Sequence, residues 1–454
     1  MLRAMLDRWI KGSTLKSRAM KGGIIALGGF GAAQGVRLVS NLIMTRLLAP
    51  DAFGLMGVTI ALQVWIAMMS DIGLNQSIVR SKFGEDPDYL ATARLLQLVR
   101  SLLIAVILVI AALALPGLAA AGTLRAGSVY ADPRLPVFLY CIAASVTISG
   151  FSAMRIALHN RKLDLTPVIR LELSAQAIAL VSMALAALAG LGVYSLALGA
   201  VVAETVKTAG SHFALKGPPA RFDFHREHFR EIFTYGKWLI IASTFGFLVQ
   251  RGDQILFGWL FDIRDFSLYS IATIWIVSAG NVIETVQRRI ANPALAELHR
   301  ERPHDLTRVY GRVRLLYEAA CVTLFLGVVL FADFFISIVY TDDYLGVAHY
   351  MKLLALMLLL LPYRLLNSIL LTGGDSRRFA VITVIPGIAL FAGTPFVFHQ
   401  FGADAAIAYA VLTPILVLPF NWKYASKFIK IDYLRESLIA AATIAAAIIL
   451  LNFT

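Results

Sequence analysis

VQRGDQILFGWL, residues 249 to 260, places an arginine, an aspartate and two glutamines inside an apolar run that extends from Trp238 to Phe261. A helix of about 20 apolar residues crosses the roughly 30 Å of bilayer hydrocarbon. The run is long enough to span, yet Arg251 and Asp253 stand near its middle. The solvent around it is settled by composition. Hydrophobic residues make up 59% of the 454, charged ones 15%, and mean hydropathy is +0.75, values that belong to an integral membrane protein. Strand-like alternation is missing, which excludes a β-barrel.

Apolar windows predict an all-α polytopic membrane protein with about twelve transmembrane helices, at 22–48, 53–79, 95–121, 135–158, 168–190, 193–215, 238–261, 267–290, 315–340, 350–371, 379–400 and 405–422. A thirteenth is expected over 437–453. The first is too long for a signal-peptide core and reads as retained.

The net charge of +13 reads as topology rather than as nucleic-acid binding. Basic residues gather in the N-terminal arm (Arg3, Arg8, Lys11, Lys16, Arg18, Lys21) and in alternate loops. These carry Arg80, Lys82 and Arg94, then Arg161 and Lys162, then Lys216, Arg221, Arg226 and Arg230, then Arg288, Arg289, Arg300, Arg302, Arg308, Arg312 and Arg314. The intervening loops offer Arg125, Arg134 and Arg264. The positive-inside rule makes the N-terminus cytoplasmic. The arm itself, MLRAMLDRWIKGSTLKSRAMK, either lies along the anionic inner leaflet as an amphipathic helix or is a basic tail.

No enzyme is expected, and no cofactor or metal. Cys141 and Cys321 fall within spans and read as small packing residues, while His225 and His228 lack further ligands. GGFGAAQG (28–35) imitates a nucleotide loop but lies in a span, where close helix packing explains it better. TGGDSRR (372–378) lacks the lysine of a phosphate loop and reads as a turn. The longest outer loop, 122–134, has no room for a catalytic domain.

The polar stretch GPPARFDFHREHFRE (217–231) falls midway. It divides the chain into an arm (1–21), a six-helix lobe (22–215), a linker (216–237), a second six-helix lobe (238–428) and an extra C-terminal helix (434–454). A shift of 213 residues aligns VRLVSNLIMTRLLAPDAFGL (36–55) with VQRGDQILFGWLFDIRDFSL (249–268) without a gap. Six spans is an even number, so the halves enter the membrane in the same sense, a transporter's plan with a central cavity.

An ionisable residue at the bilayer centre costs roughly 2.5–3.5 kcal/mol on insertion scales, so Arg37, Arg251 and Asp253 must face protein or water. Gln34 and Asn41 flank Arg37 at helical spacing, and Gln254 follows Arg251 by three, giving two cationic, hydrogen-bonding faces. Arg364, after the Pro362 kink, is a further cavity candidate. Such arginines suit a phosphate or diphosphate, which a guanidinium grips in two-pronged fashion. The competing role for Arg251 is an ion pair with Asp253 or Glu204 that staples helices, and the sequence leaves both open. Asp253 and Glu204 are candidates for ion coupling, since a carboxylate in a low-dielectric cavity can titrate. Lys207, three residues from Glu204, is equally placed to neutralise it.

RLLAPDAFGL with SDIGLNQSIVR, then NRKLDLTPVIRLELSAQAIALVSMALAALAGLGVYSLALG, then RGDQILFGWLFDIRDFSLYSIA, resemble the Wzx-type polysaccharide transporters of the multidrug/oligosaccharidyl-lipid/polysaccharide (MOP) exporter superfamily. The resemblance covers about residues 20 to 430. Ser267 departs from it, standing where the first half has Gly54, and so does the odd helix count. The resemblance implies two six-helix lobes around a V-shaped cavity, the MOP flippase fold. It also implies alternating-access flipping of undecaprenyl-diphosphate-linked oligosaccharide to the outer leaflet of a bacterial inner membrane, for surface or exopolysaccharide biosynthesis. The partners expected are that lipid-linked substrate, membrane lipids and glycan polymerase or export machinery, with no nucleic acid. The alternatives are a drug or cation antiporter of the same superfamily and a flippase for lipid II, the peptidoglycan precursor.

Overall fold

The computed structural model describes residues 15–162, 164–219, 221–287, 291, 295, 298, 303–366 and 376–453. Most of the N-terminal arm, the first residues of TGGDSRR, and Arg288, Arg289, Arg300 and Arg302 lie outside them. Helices account for nearly everything else. Among the described residues, eight helices are long and apolar enough to cross a membrane, or up to nine when a bent pair counts as one span. The protein is an all-α polytopic membrane protein.

Backbone contacts divide the chain into two compact units, residues 1–126 with 130–244, and 127–129 with 245–454. The first contains α1 (Leu15–Leu47), α2 (Asp51–Met69), α3 (Leu74–Arg80), α4 (Pro87–Ala120), α5 (Leu135–Gly150), α6 (Arg155–Arg161), α7 (Leu165–Ala186) and α8 (Tyr194–Phe213). α4 begins where Asp86 accepts a 3.1 Å hydrogen bond from the Asp88 amide, with proline at the first helical position.

Two apolar runs that read as single spans are broken in this unit. The run at 53–79 stops at Met69 and resumes at Leu74, because Gly73 takes the left-handed conformation (φ 63°) with its amide donating to the Asp71 carboxylate. The Ala67 carbonyl, which the Ser70 amide also meets, accepts a 2.8 Å bond from Arg100 of α4. The run at 135–158 bends by 64° between α5 and α6.

The glycine-rich GGFGAAQG also differs from expectation. Only Gly29 is packed closely, where an added Cβ would meet Ile169 of α7 at 2.6 Å, while Gly28, Gly31 and Gly35 have open space.

α9 (Arg226–Leu260) passes from the first unit into the second, which holds α10 (Ile263–Val286), α11 (Pro303–Val339), α12 (Val347–Leu354), α13 (Leu356–Leu360), α14 (Ser376–Leu412), α15 (Leu418–Ala425) and α16 (Tyr433–Phe453). α14 is two helices joined at Gly402, whose φ of 88° no helix accommodates. The repeat inferred from sequence has a structural counterpart, since α1 ends at Leu47 and α9 at Leu260, residues related by the 213-residue shift. Ser267, the departure from the first half, is fully buried and donates to the Ile263 carbonyl.

Two basic residues assigned to loops are inside the protein. Arg94 is 7% exposed on α4, and Arg314 is 2% exposed on α11, donating to Glu318, Glu436 and the Tyr310 hydroxyl at 2.5–2.8 Å. Both helices begin well before their apolar runs, so charges read as loop residues belong to helical turns packed against neighbours.

Candidate functional site

Residues two apart on a helix project about 200° apart, so Arg251 and Asp253 leave α9 in opposite directions. Gly252 between them packs against α14, where an added Cβ would fall 2.7 Å from Phe391. Asp253 accepts a hydrogen bond from the Tyr269 hydroxyl of α10. Around that pair lies an aromatic cluster, with the Tyr269 ring 5.1 Å from Phe257, 6.0 Å from Phe261 and 6.3 Å from Tyr350. Among the described residues no ion pair joins Arg251 to Asp253.

Arg251 instead lines a cavity of about 120 Å³ in the second unit. α10 supplies half of the wall through Ile276, Gly280 and Glu284, each four residues from the last, and Val277 with Asn281 beside them. Met357, Leu358 and Leu361 form the apolar side, and Arg364 completes it. The Arg364 guanidinium donates to the Glu284 carboxylate. Two guanidiniums and one carboxylate leave the lining with a net positive charge. It combines two-pronged donors, an amide and an aliphatic wall, the equipment for an anion attached to an apolar chain.

The sequence-selected residues thus separate. Arg251 and Arg364 share this cavity, Asp253 is hydrogen-bonded in the aromatic cluster, and Gln254 is half-buried on α9 without lining the cavity. In the first unit, Arg37 is exposed on α1, with Gln34 half-buried and Asn41 buried on the same helix. Glu204 sits 3.5 Å from Lys207, the local pairing its spacing allowed. Glu284, Asn281 and Tyr269 were missed. The four-residue spacing of Ile276, Gly280 and Glu284 marked one helical face, but an acid near a span's end reads first as a boundary.

Comparison with known proteins follows from this geometry. No curated protein sequence matches significantly. Among solved structures, the chain is similar to an inward-facing multidrug resistance MATE family transporter of the MOP superfamily, at 13% identity and a TM-score of 0.65, covering 87% of this chain and 95% of that one. It is also similar to the lipid II flippase MurJ in an inward closed conformation, at 12% identity and a TM-score of 0.66, covering 95% and 92%. An outward-facing MATE transporter matches at 14% identity and a TM-score of 0.52, covering 95% and 98%. These likenesses establish the fold, which the chain shares with proteins named as transporters and as a flippase. The family described as "Polysaccharide biosynthesis protein" matches residues 43–349, well over half the chain. The chain therefore belongs to that family.

Proposed function

We propose that this protein is a flippase that moves undecaprenyl-diphosphate-linked oligosaccharide from the cytoplasmic to the outer leaflet of a bacterial inner membrane by alternating access. In this reading it has twelve helices in two six-helix lobes plus the C-terminal helix, with a cytoplasmic N-terminus. The observation that carries it is the cavity in which Arg251 and Arg364 face a single carboxylate, Glu284, beside an aliphatic wall. A diphosphate is the ligand class such paired guanidiniums suit. Arg37, Gln34, Asn41 and Gln254 add charge and sugar-binding amides in the same proposal, and Asp253 and Glu204 serve ion coupling. The likeness to a protein named as a lipid II flippase supports a lipid-linked cargo.

A drug or cation antiporter of the same superfamily calls for a cavity led by carboxylates, which the Arg251 and Arg364 lining opposes. The test is to deplete the protein and identify the lipid-linked glycan that accumulates on the cytoplasmic leaflet. Accumulation of an undecaprenyl-diphosphate oligosaccharide that a wild-type copy clears supports the proposal. Unchanged lipid-linked glycans together with lost efflux of a cationic drug would replace it with the antiporter.

A further inference from the structure

Three arginines converge beneath the segment that joins α8 to α9. A pocket of about 20 Å³ is lined by Arg94, Arg155 and Arg221, by Pro218 and Pro219 of that segment, and by apolar residues of α4 and α6. No carboxylate lines it. Arg94 is 93% buried: its Nη2 donates to the Phe151 carbonyl at 3.1 Å and its face stacks 3.9 Å from the Phe222 ring, but its Nε has no hydrogen-bond partner in the protein. Arg155 donates from Nε to the Pro218 carbonyl at 3.2 Å and from Nη1 to the His212 and Leu215 carbonyls, so only neutral oxygens meet it. It acts on Arg94 as a like charge. Arg221 is exposed and has no partner among the described residues.

Neutral carbonyls cap helix ends adequately, but they do not balance three cations, and a buried N–H left without an acceptor is destabilising. Both deficits are met by one anion that accepts hydrogen bonds. The pocket is only slightly larger than the space one water needs, which admits one oxygen of a phosphate group whose other oxygens stay toward solvent and excludes a whole phosphorylated sugar. We propose that Arg94, Arg155 and Arg221 form a site for one phosphate group, separate from the Arg251 cavity, whose occupancy clamps the connecting segment to the first unit. The segment already rests there through the His225 amide, which donates to Thr92 Oγ1 at 3.1 Å.

The phosphate could be free in solution or the head of an anionic phospholipid, and one experiment separates the two. Purified full-length protein is titrated with inorganic phosphate in an uncharged detergent, against potassium chloride of equal ionic strength. It is also melted in phosphatidylcholine nanodiscs with and without phosphatidic acid. Arg221→Gln is the informative variant, because the exposed side chain has no part in folding. Arg226→Gln, an exposed cation outside the pocket, is the control. Saturable phosphate binding at one equivalent, weakened about tenfold by Arg221→Gln as expected for one charge-assisted hydrogen bond, supports the site with a soluble ligand. A phosphatidic-acid-dependent rise in melting temperature, lost in Arg221→Gln and kept in Arg226→Gln, supports it with a lipid headgroup. Responses that chloride reproduces, or that Arg226→Gln alters as much as Arg221→Gln, overturn it, as does no response to either probe. Arg94 and Arg155 are then helix caps only, and Arg221 a solvated surface charge.

Discussion

Asp253 is hydrogen-bonded to Tyr269, not ion-paired to Arg251 two residues before it. The distinction separates two roles for one polar stretch: the carboxylate joins α9 to α10 within aromatic rings, and the guanidinium is left to the cavity. Were Arg251 only the partner of Asp253, lysine would replace it well, and removing both would be milder than removing either.

Arg251→Ala is therefore expected to abolish glycan export at normal membrane abundance, and Arg37→Ala likewise. Arg251→Lys should recover only a minor part, since a point charge lacks the fork. Adding Asp253→Asn to Arg251→Ala should not restore export. Complementation of surface glycan in a depleted strain reads all four. Near-normal export by Arg251→Lys would reassign the arginine to structure.

Glu284 competes with any anion for Arg364. Glu284→Gln should raise the affinity for a short-chain isoprenyl diphosphate several-fold, because it removes a carboxylate that competes for Arg364, where a charge-assisted bond is worth about 1.5–3 kcal/mol less what the half-exposed setting screens. Arg364→Ala should lower it. Equilibrium binding in detergent measures both, and equal affinity across the series would take Arg364 out of the site.

Topology is open to direct labelling. Cysteines placed at Arg125 and Asp342, both exposed, should react with an impermeant thiol reagent applied from outside, whereas cysteines at Asp223 and Lys427 should react only after permeabilisation. The reverse pattern would invert the orientation proposed above.

The buried cluster around Arg314 makes a thermodynamic prediction. Glu436→Ala leaves Arg314 with Glu318 as its one carboxylate, and loss of a partner from a buried pair costs at most about 3–5 kcal/mol, less here because Glu318 remains. Arg314→Met with Glu436→Met should be far milder, with well under half the loss in melting temperature of Glu436→Ala. Equal losses would show that the pair adds no coupling.

Much of this was legible in the sequence where one rule governed the outcome. Arg251 and Arg364 stood out because a charge in a long apolar run has few places to go, and both line one cavity. The repeat register was readable because the turn after Leu47 matches the turn after Leu260. Other features depended on tertiary contact. Hydropathy marks where apolar residues begin, not where helices do, so Arg94 and Arg314 passed for loop charges. The interruption at Gly73 follows a local hydrogen bond to Asp71 within an otherwise continuous apolar pattern. Glu284 became a cavity residue only once Arg364 was seen to reach it.

The ion cluster joining α11 to α16 sets what this architecture would lose with its last helix. Arg314 bonds Glu436, and Arg435 bonds Glu318, so the last helix supplies one of the two carboxylates around a cation fixed deep in its neighbour and a cation for the other. Truncation before Tyr433 would remove Glu436 and Arg435 together and leave Arg314 bonded to Glu318 and Tyr310 of its own helix, so the charge would stay balanced. A descendant that sheds the C-terminal helix gives up the coupling between two helices, not the neutrality of the cluster.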